Sequence, residues 1–254
     1  MVLAVTYFGG IPFLILCALA GFGVLWEWAG VARIQPRIGF LVVGGVALLA
    51  AAALLALGLG LLIAPVLLLG ALVCAVLAHG AARERVWAAL GLLCAAAVAF
   101  PVVVLRGSDQ LGLLCVLFLF AVVWGTDIAA YFTGRALGGP KLWPRLSPNK
   151  TWSGALGGTL IGTLAGVGMV MAWGLMFTPA LVGIGLLLSV VAQSGDLAES
   201  AFKRVFGVKD AGWLIPGHGG ILDRLDGFAA AAVLALAITL LRGGASPAAG
   251  LLLW

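Results

Sequence analysis

The run from Ser200 to Asp226 sets Lys203, Arg204, Lys209 and Arg224 beside Asp210, Asp223 and Asp226, with His218 and a Gly219-Gly220 turn among them. Just upstream, the helical period puts Asp196, Glu199, Ser200 and Lys203 on one stripe, so a carboxylate faces inward there. An ion pair from Asp196 or Glu199 to Lys203 or Arg204, satisfying the helix end, is the plainer alternative. Asp223-Arg224-Leu225-Asp226 opens the next apolar run, where aspartates suit a helix N-terminus. If the two runs pack as an antiparallel hairpin, Asp196 and Asp223 converge. Carboxylates meeting in this way suit a hard divalent cation, and magnesium so held keeps open positions for phosphates. Glycines between them let backbone N–H groups approach an anion, while Lys203, Arg204, Lys209 and Arg224 would neutralise phosphate charge. The segment reads as a phosphate cradle, with an ordinary tight turn as the alternative for Gly219-Gly220. His218 is expected to line it without an assigned proton role.

A second polar stretch runs from Asp127 through Tyr131, Arg135, Lys141, Trp143, Ser147 and Lys150 to Thr151. Asp127 is embedded in apolar sequence about two turns before a helix end, which points to a nucleotide or metal contact rather than a lipid-facing role. Arg135, Lys141 and Lys150 suit a polyphosphate; a solvated basic loop against lipid headgroups is the alternative. Trp143 and Trp152 read as interfacial anchors.

The elements that must position these residues are membrane helices. The 254 residues are 64% hydrophobic and only 9% charged, with mean hydropathy +1.23, against roughly 25% charged in an average soluble domain. Apolar runs of about 20 residues fall near 11 to 30, 40 to 57, 61 to 78, 87 to 105, 111 to 133, 154 to 177, 180 to 199 and 227 to 242. The apolar tail from 245 to 254 is half a span long, a truncated or re-entrant ninth helix. The expectation is one all-α polytopic membrane domain of eight to nine transmembrane helices, with N-terminal helices over 1 to 110 and catalytic helices and loops over 111 to 254.

Arg33, Arg37, Arg83, Arg85, Arg135, Lys141, Arg145, Lys150, Lys203, Arg204, Lys209 and Arg224 fall in loops on one side; only Arg106 and Arg242 fall on the other. The positive-inside rule therefore puts the N-terminus outside and both polar stretches in the cytoplasm. A basic face beside anionic lipid or an anionic substrate accounts for the net charge of +5 without nucleic acid. Residues 1 to 10 carry no charged side chain, unlike a signal-peptide n-region, so residues 11 to 30 read as a retained span. Cys17, Cys74, Cys94 and Cys115 lie in apolar runs and read as packing residues. Gly154, Gly158, Gly162 and Gly166 recur every four residues, as in a close helix-packing seam.

With these residues set out, the stretch from Ser200 to Asp226 resembles the signature of the phosphatidate cytidylyltransferases, the CDP-diacylglycerol synthases. The matching elements are Ser200, Lys203-Arg204, Lys209-Asp210, Pro216-x-His218-Gly219-Gly220 and Asp223-Arg224-x-Asp226, without a gap. Upstream, Asp127-x-x-Ala130-Tyr131-Phe132-x-Gly134-Arg135 and Ser147-Pro148-x-Lys150-Thr151 are similar to the family's pattern. Gly139 and Ser153 depart from it, standing where many relatives carry lysine and glutamate. Glu27, between Trp26 and Trp28, resembles a Glu-Trp feature of the family, with an interfacial anchor as the plainer alternative.

The resemblance implies a nucleotidyltransferase of phospholipid biosynthesis in the cell inner membrane. CMP would pass from CTP to phosphatidate in the bilayer, giving CDP-diacylglycerol and pyrophosphate. Asp196 and Asp223 would hold Mg²⁺, with Asp226 and Asp127 as further ligands or groups behind them. Lys203, Arg204, Lys209 and Arg224 would bind phosphate, and Ser200, Gly219, Gly220 and the Asp127 to Thr151 residues would contact substrate. A CTP-dependent enzyme acting on another membrane lipid would share the hydropathy but lacks reason for the complete Pro-to-Asp run. A secondary transporter would instead place charges near the midplane. Glycine-seamed spans also permit a homodimer, which crosslinking in native membranes would test.

Overall fold

The computed structural model describes residues 1–212 and 219–254, so the expectations placed on Pro216, Gly217 and His218 lie outside the described residues. The helices are α1 Val2–Phe8, α2 Gly10–Val31, α3 Arg37–Ala56, α4 Ile63–Leu77, α5 Ala82–Ala99, α6 Pro101–Arg106 and α7 Gln110–Leu137. Strands β1 Lys141–Trp143 and β2 Ser147–Thr151 follow, then α8 Trp152–Ala172, α9 Pro179–Val205, α10 Leu222–Arg242 and α11 Pro247–Leu252. Among the described residues, eight helical stretches are long and apolar enough to cross a membrane, one for each expected span. Their ends differ where polar residues continue a helix: α7 runs on to Leu137, α9 to Val205, and α10 begins at Leu222. The stretch Ala82–Arg106 is interrupted at Pro101, whose ring and missing N–H break the helical ladder. The tail does not complete a ninth span, since α11 has six residues.

The chain forms two compact units. One comprises Gly10–Val103 and Lys203–Leu225. Within it α2 packs on α3 and α5, and α4 on α3 and α5. Small residues permit the approach: a Cβ at Gly44 would stand 2.7 Å from Leu25 Cδ2. The Trp28 indole N–H donates to the Trp87 carbonyl at 2.9 Å, so the buried end of α2 is tied to α5 by a satisfied polar group.

The other unit comprises Met1–Gly9, Val104–Phe202 and Asp226–Trp254. Its core gathers Leu114, Phe118 and Val122 of α7, Leu181 and Leu188 of α9, Ala231 and Ala235 of α10, and Leu251 of α11. The expected seam is real: Gly154, Gly158, Gly162 and Gly166 are all buried. A Cβ would stand 2.8 Å from the Ala130 carbonyl oxygen at Gly154 and 2.8 Å from that of Thr126 at Gly158. In lipid, where helices gain little from excluding water, such backbone approach and van der Waals packing carry association. Gly158→Val is therefore expected to cost about 1 to 3 kcal/mol, read as a lower unfolding temperature in detergent without a change in substrate preference.

Both ends of the chain are fastened to this unit. Arg106, 5% exposed, donates from Nε to the Thr6 carbonyl at 2.7 Å and from Nη2 to that of Tyr7 at 2.8 Å, answering carbonyls that α1 leaves unpaired at its C-terminus. At the other end, Ser246 Oγ accepts the Ala249 N–H to cap α11. Arg242 donates to the Gly250 carbonyl at 3.0 Å and lies 3.8 Å from the centre of the Trp254 ring. Cys17, Cys74 and Cys115 are buried free thiols.

Candidate active site

In the unit built around α7 to α11, three helices bring carboxylates together. Ser189, Gln193 and Asp196 follow one another at i, i+4 and i+7 on α9, so they share a face. Ser189 is hydrogen-bonded to Thr126 of α7 at 2.7 Å, and Gln193 Nε2 donates to Thr159 Oγ1 of α8 at 2.9 Å. These bonds fix the rotation of α9 and so the direction in which Asp196 points. Glycines then set its distance from α10: a Cβ at Gly195 would stand 2.9 Å from the Asp226 carbonyl oxygen, and one at Gly227 2.9 Å from that of Ala192. Asp226 consequently lies within electrostatic reach of both Asp196 and Asp127. Its own Oδ1 accepts the Gly227 N–H at 2.7 Å.

Lys150 supplies the counter-charge, with Nζ ion-paired to Asp196 Oδ2. It reaches there from a β-hairpin that the sequence pattern did not announce. Strands β1 and β2 pair antiparallel, with Lys141 opposite Thr151 and Trp143 opposite Ser147. Thr151, expected at a substrate contact, is 6% exposed and caps α8, its Oγ1 accepting the Gly154 N–H at 3.1 Å. The cap ties the end of β2 to the start of α8, one residue after Lys150. On α7, Asp127, Tyr131 and Arg135 lie at i, i+4 and i+8 and are exposed. Arg135 donates to the Tyr131 hydroxyl at 2.9 Å. Lys141 is also exposed, on β1, and Ser200 is half-buried on α9.

The unit built around α2 to α5 holds the second group. Lys203 Nζ donates to Asp223 Oδ1 at 2.8 Å, both side chains being about 15% exposed or less. Asp223 Oδ2 accepts N–H bonds from Ala211 at 3.1 Å and Gly220 at 3.0 Å. Gly219 has φ +83°, the left-handed region that favours glycine. The anions met by Gly220, Ile221 and Leu222 N–H groups are thus side chains of the protein: Asp223 for the first, Glu27 for the other two. Arg204 donates to the Val208 carbonyl at 3.4 Å, and Lys209 and Arg224 are exposed. The sequence marked Glu27 by its resemblance to a Glu-Trp feature, with an interfacial anchor as the alternative, and gave it no partner. Gly195 and Gly227 carried no signal beyond being glycines in such runs.

The cluster of Asp127, Asp196 and Asp226 is made of hard oxygen donors and already attracts one cationic group, the Lys150 ammonium. Oxygen donors of this kind suit a hard divalent cation. Among the described residues, no three acidic, imidazole or thiol side chains close around a common point tightly enough to enclose a metal. The arrangement can draw cations to carboxylates at one place and hold anionic oxygen near lysine and arginine at its edge.

Residues 1–241 match the model of the cytidylyltransferase family. The chain belongs to that family. Membership makes it a nucleotidyltransferase. It is 46% identical over 235 residues to the phosphatidate cytidylyltransferase of Brucella suis biovar 1 (strain 1330), covering 90% of this chain and 84% of that protein. The same figures hold for the phosphatidate cytidylyltransferase of Brucella abortus biovar 1 (strain 9-941). With that of Bacillus subtilis (strain 168) the identity is 49% over 125 residues, 49% of this chain and 46% of the relative. The eight apolar helices found among the described residues make this family member a multi-pass membrane protein by length and composition.

Proposed function

We propose that this protein transfers the cytidylyl group of CTP to phosphatidate, forming CDP-diacylglycerol and releasing pyrophosphate. The observation that carries this conclusion is its likeness, over most of its length, to proteins named for that reaction. An oxygen of the phosphatidate phosphate attacks the α-phosphorus of CTP; the new O–P bond forms as the bond to the β-phosphate oxygen breaks. A phosphate monoester has a second pKa of about 6, so near neutral pH it is already an anionic nucleophile and no dedicated side-chain base is required.

The chain's own contribution is positioning and charge. In the unit built around α7 to α11, Lys150 and Arg135 are the cations suited to phosphate oxygens; in the unit built around α2 to α5, Lys203 is. Lys209, Arg204, Arg224 and Lys141 are exposed cations suited to the outer phosphates of CTP, with Ser147 and Ser200 as neutral donors. Asp196 and Asp226, with Asp127, would hold Mg²⁺; the resemblance also implies Asp223 as a ligand, and its carboxylate is here taken up by Lys203 and the Ala211 and Gly220 N–H groups. When bound, the ion supplies Lewis-acid neutralisation of phosphate charge. The charge asymmetry of the loops supports a cytoplasmic face for this chemistry, where CTP is dissolved, and an N-terminus outside.

The test is CMP transfer from labelled CTP to phosphatidate in detergent–lipid micelles, with magnesium and with excess chelator. Labelled CDP-diacylglycerol is expected with magnesium and its loss with chelator. Product with another lipid acceptor but none with phosphatidate would overturn the substrate assignment.

A further inference from the structure

Glu27 lies near the C-terminal end of α2 among apolar residues and is 3% exposed, yet each of its carboxylate oxygens has a partner. Oε1 accepts the Ile221 N–H and Oε2 the Leu222 N–H, each at 2.9 Å, from residues 194 and 195 positions later in the chain. These are donors at the start of α10, where the first N–H groups of a helix have no partner within it. A carboxylate placed there answers both donors and opposes the positive end of the helix dipole. Glycines leave room for it: a Cβ at Gly212 would stand 2.5 Å from Glu27 Oε1, and one at Gly220 2.7 Å from Oε2. The next residue along α10 is Asp223, which takes Lys203 and the Ala211 and Gly220 N–H groups. All of these residues belong to one compact unit.

We propose that Glu27 is a positioning residue for cytidylyl transfer: by clamping the Ile221 and Leu222 amides it fixes the first turn of α10 and hence the orientation of Asp223. The inference rests on the functional assignment above for its catalytic consequence, and on geometry alone for the clamp. Chemistry makes glutamate specific. Glutamine offers one acceptor oxygen and turns an NH₂ group toward the second N–H, and aspartate is one methylene too short to reach both amides.

The full chain is compared with Glu27→Gln, Glu27→Ala and Glu27→Asp in detergent–lipid micelles, by hydrogen–deuterium exchange and by steady-state kinetics at equal folded yield. Faster exchange at Ile221 and Leu222 is expected in Glu27→Gln and Glu27→Ala. Turnover should drop about 100-fold, the scale of a misplacement near 1 Å at a reacting centre. KM for CTP should stay within a few-fold of wild type, and Glu27→Asp should recover part of the turnover. Unchanged exchange at those amides overturns the clamp. Faster exchange with unchanged turnover per folded molecule overturns the positioning role and leaves Glu27 a purely structural cap. If wild type makes no CDP-diacylglycerol while exchange still rises in the variants, the substrate assignment falls and the clamp stands.

Discussion

Asp223→Asn is expected to reduce CMP transfer to phosphatidate by about 10²- to 10³-fold at equal folded yield, the range seen when one preorganised electrostatic group is removed from an active site. The carboxylate serves three donors: Lys203 Nζ at 2.8 Å, and the Ala211 and Gly220 N–H groups at 3.1 and 3.0 Å. An amide keeps the shape but has one acceptor oxygen, so its NH₂ group must face either the ammonium or the backbone N–H groups. Breaking a buried ion pair from one side costs about 3 to 5 kcal/mol because the remaining charge stays unmatched. Stability and activity should therefore both fall, and a second variant separates them. Lys203→Met added to Asp223→Asn removes the stranded charge and should recover much of the unfolding temperature, while transfer stays low. If the double variant regains activity along with stability, the Asp223–Lys203 pair is structural and neither residue is part of the transfer machinery.

How far the sequence disclosed this depends on what kind of signal each feature leaves. The spans were legible because a membrane helix must be apolar for about 20 residues whatever it packs against. The polar runs were legible for the complementary reason, that charge beside so much apolar sequence is costly unless it is used. Helix ends were not, since α7 and α9 carry their polar residues on helical turns beyond the apolar stretch, to Leu137 and Val205. The hairpin escaped because Lys141–Trp143 and Ser147–Thr151 show no alternation of apolar and polar residues and contain Pro148, which ordinarily argues against a strand.

Partners far apart in the chain were the least legible. The sequence put Lys203 on the stripe of Asp196 and Glu199 and offered, as the plainer alternative, an ion pair from either acid to Lys203 or Arg204. The structure pairs Asp196 with Lys150 of the hairpin and Lys203 with Asp223 at the start of α10, partners the stripe did not suggest. Glu27 could be noticed as an acid in an apolar run, but nothing local says that its acceptors serve amides almost two hundred residues later. Gly195 and Gly227 look like any other glycine in a membrane helix, and their use in bringing α9 to α10 appears only when the facing carbonyl oxygens are known.

Lys150 occupies an oxygen of Asp196 that a metal ion would also seek. An ammonium and a divalent cation compete for the same carboxylate oxygens, and Asp127 and Asp226 add negative charge within reach. Lys150→Met should therefore lower the magnesium concentration needed for half-maximal activity. The same change should cut kcat/KM for CTP by about 10²-fold if the lysine also meets the triphosphate, since a charge-assisted hydrogen bond of about 3 kcal/mol is lost. Asp196→Asn acts in the opposite direction on the metal, raising its requirement while leaving the lysine unpaired. Magnesium titrations of the three proteins at saturating CTP decide the matter. A magnesium requirement that rises in Lys150→Met as it does in Asp196→Asn would mean that the lysine supports the cation site and does not compete for it, and the acidic cluster would then need another explanation for its hold on the hairpin.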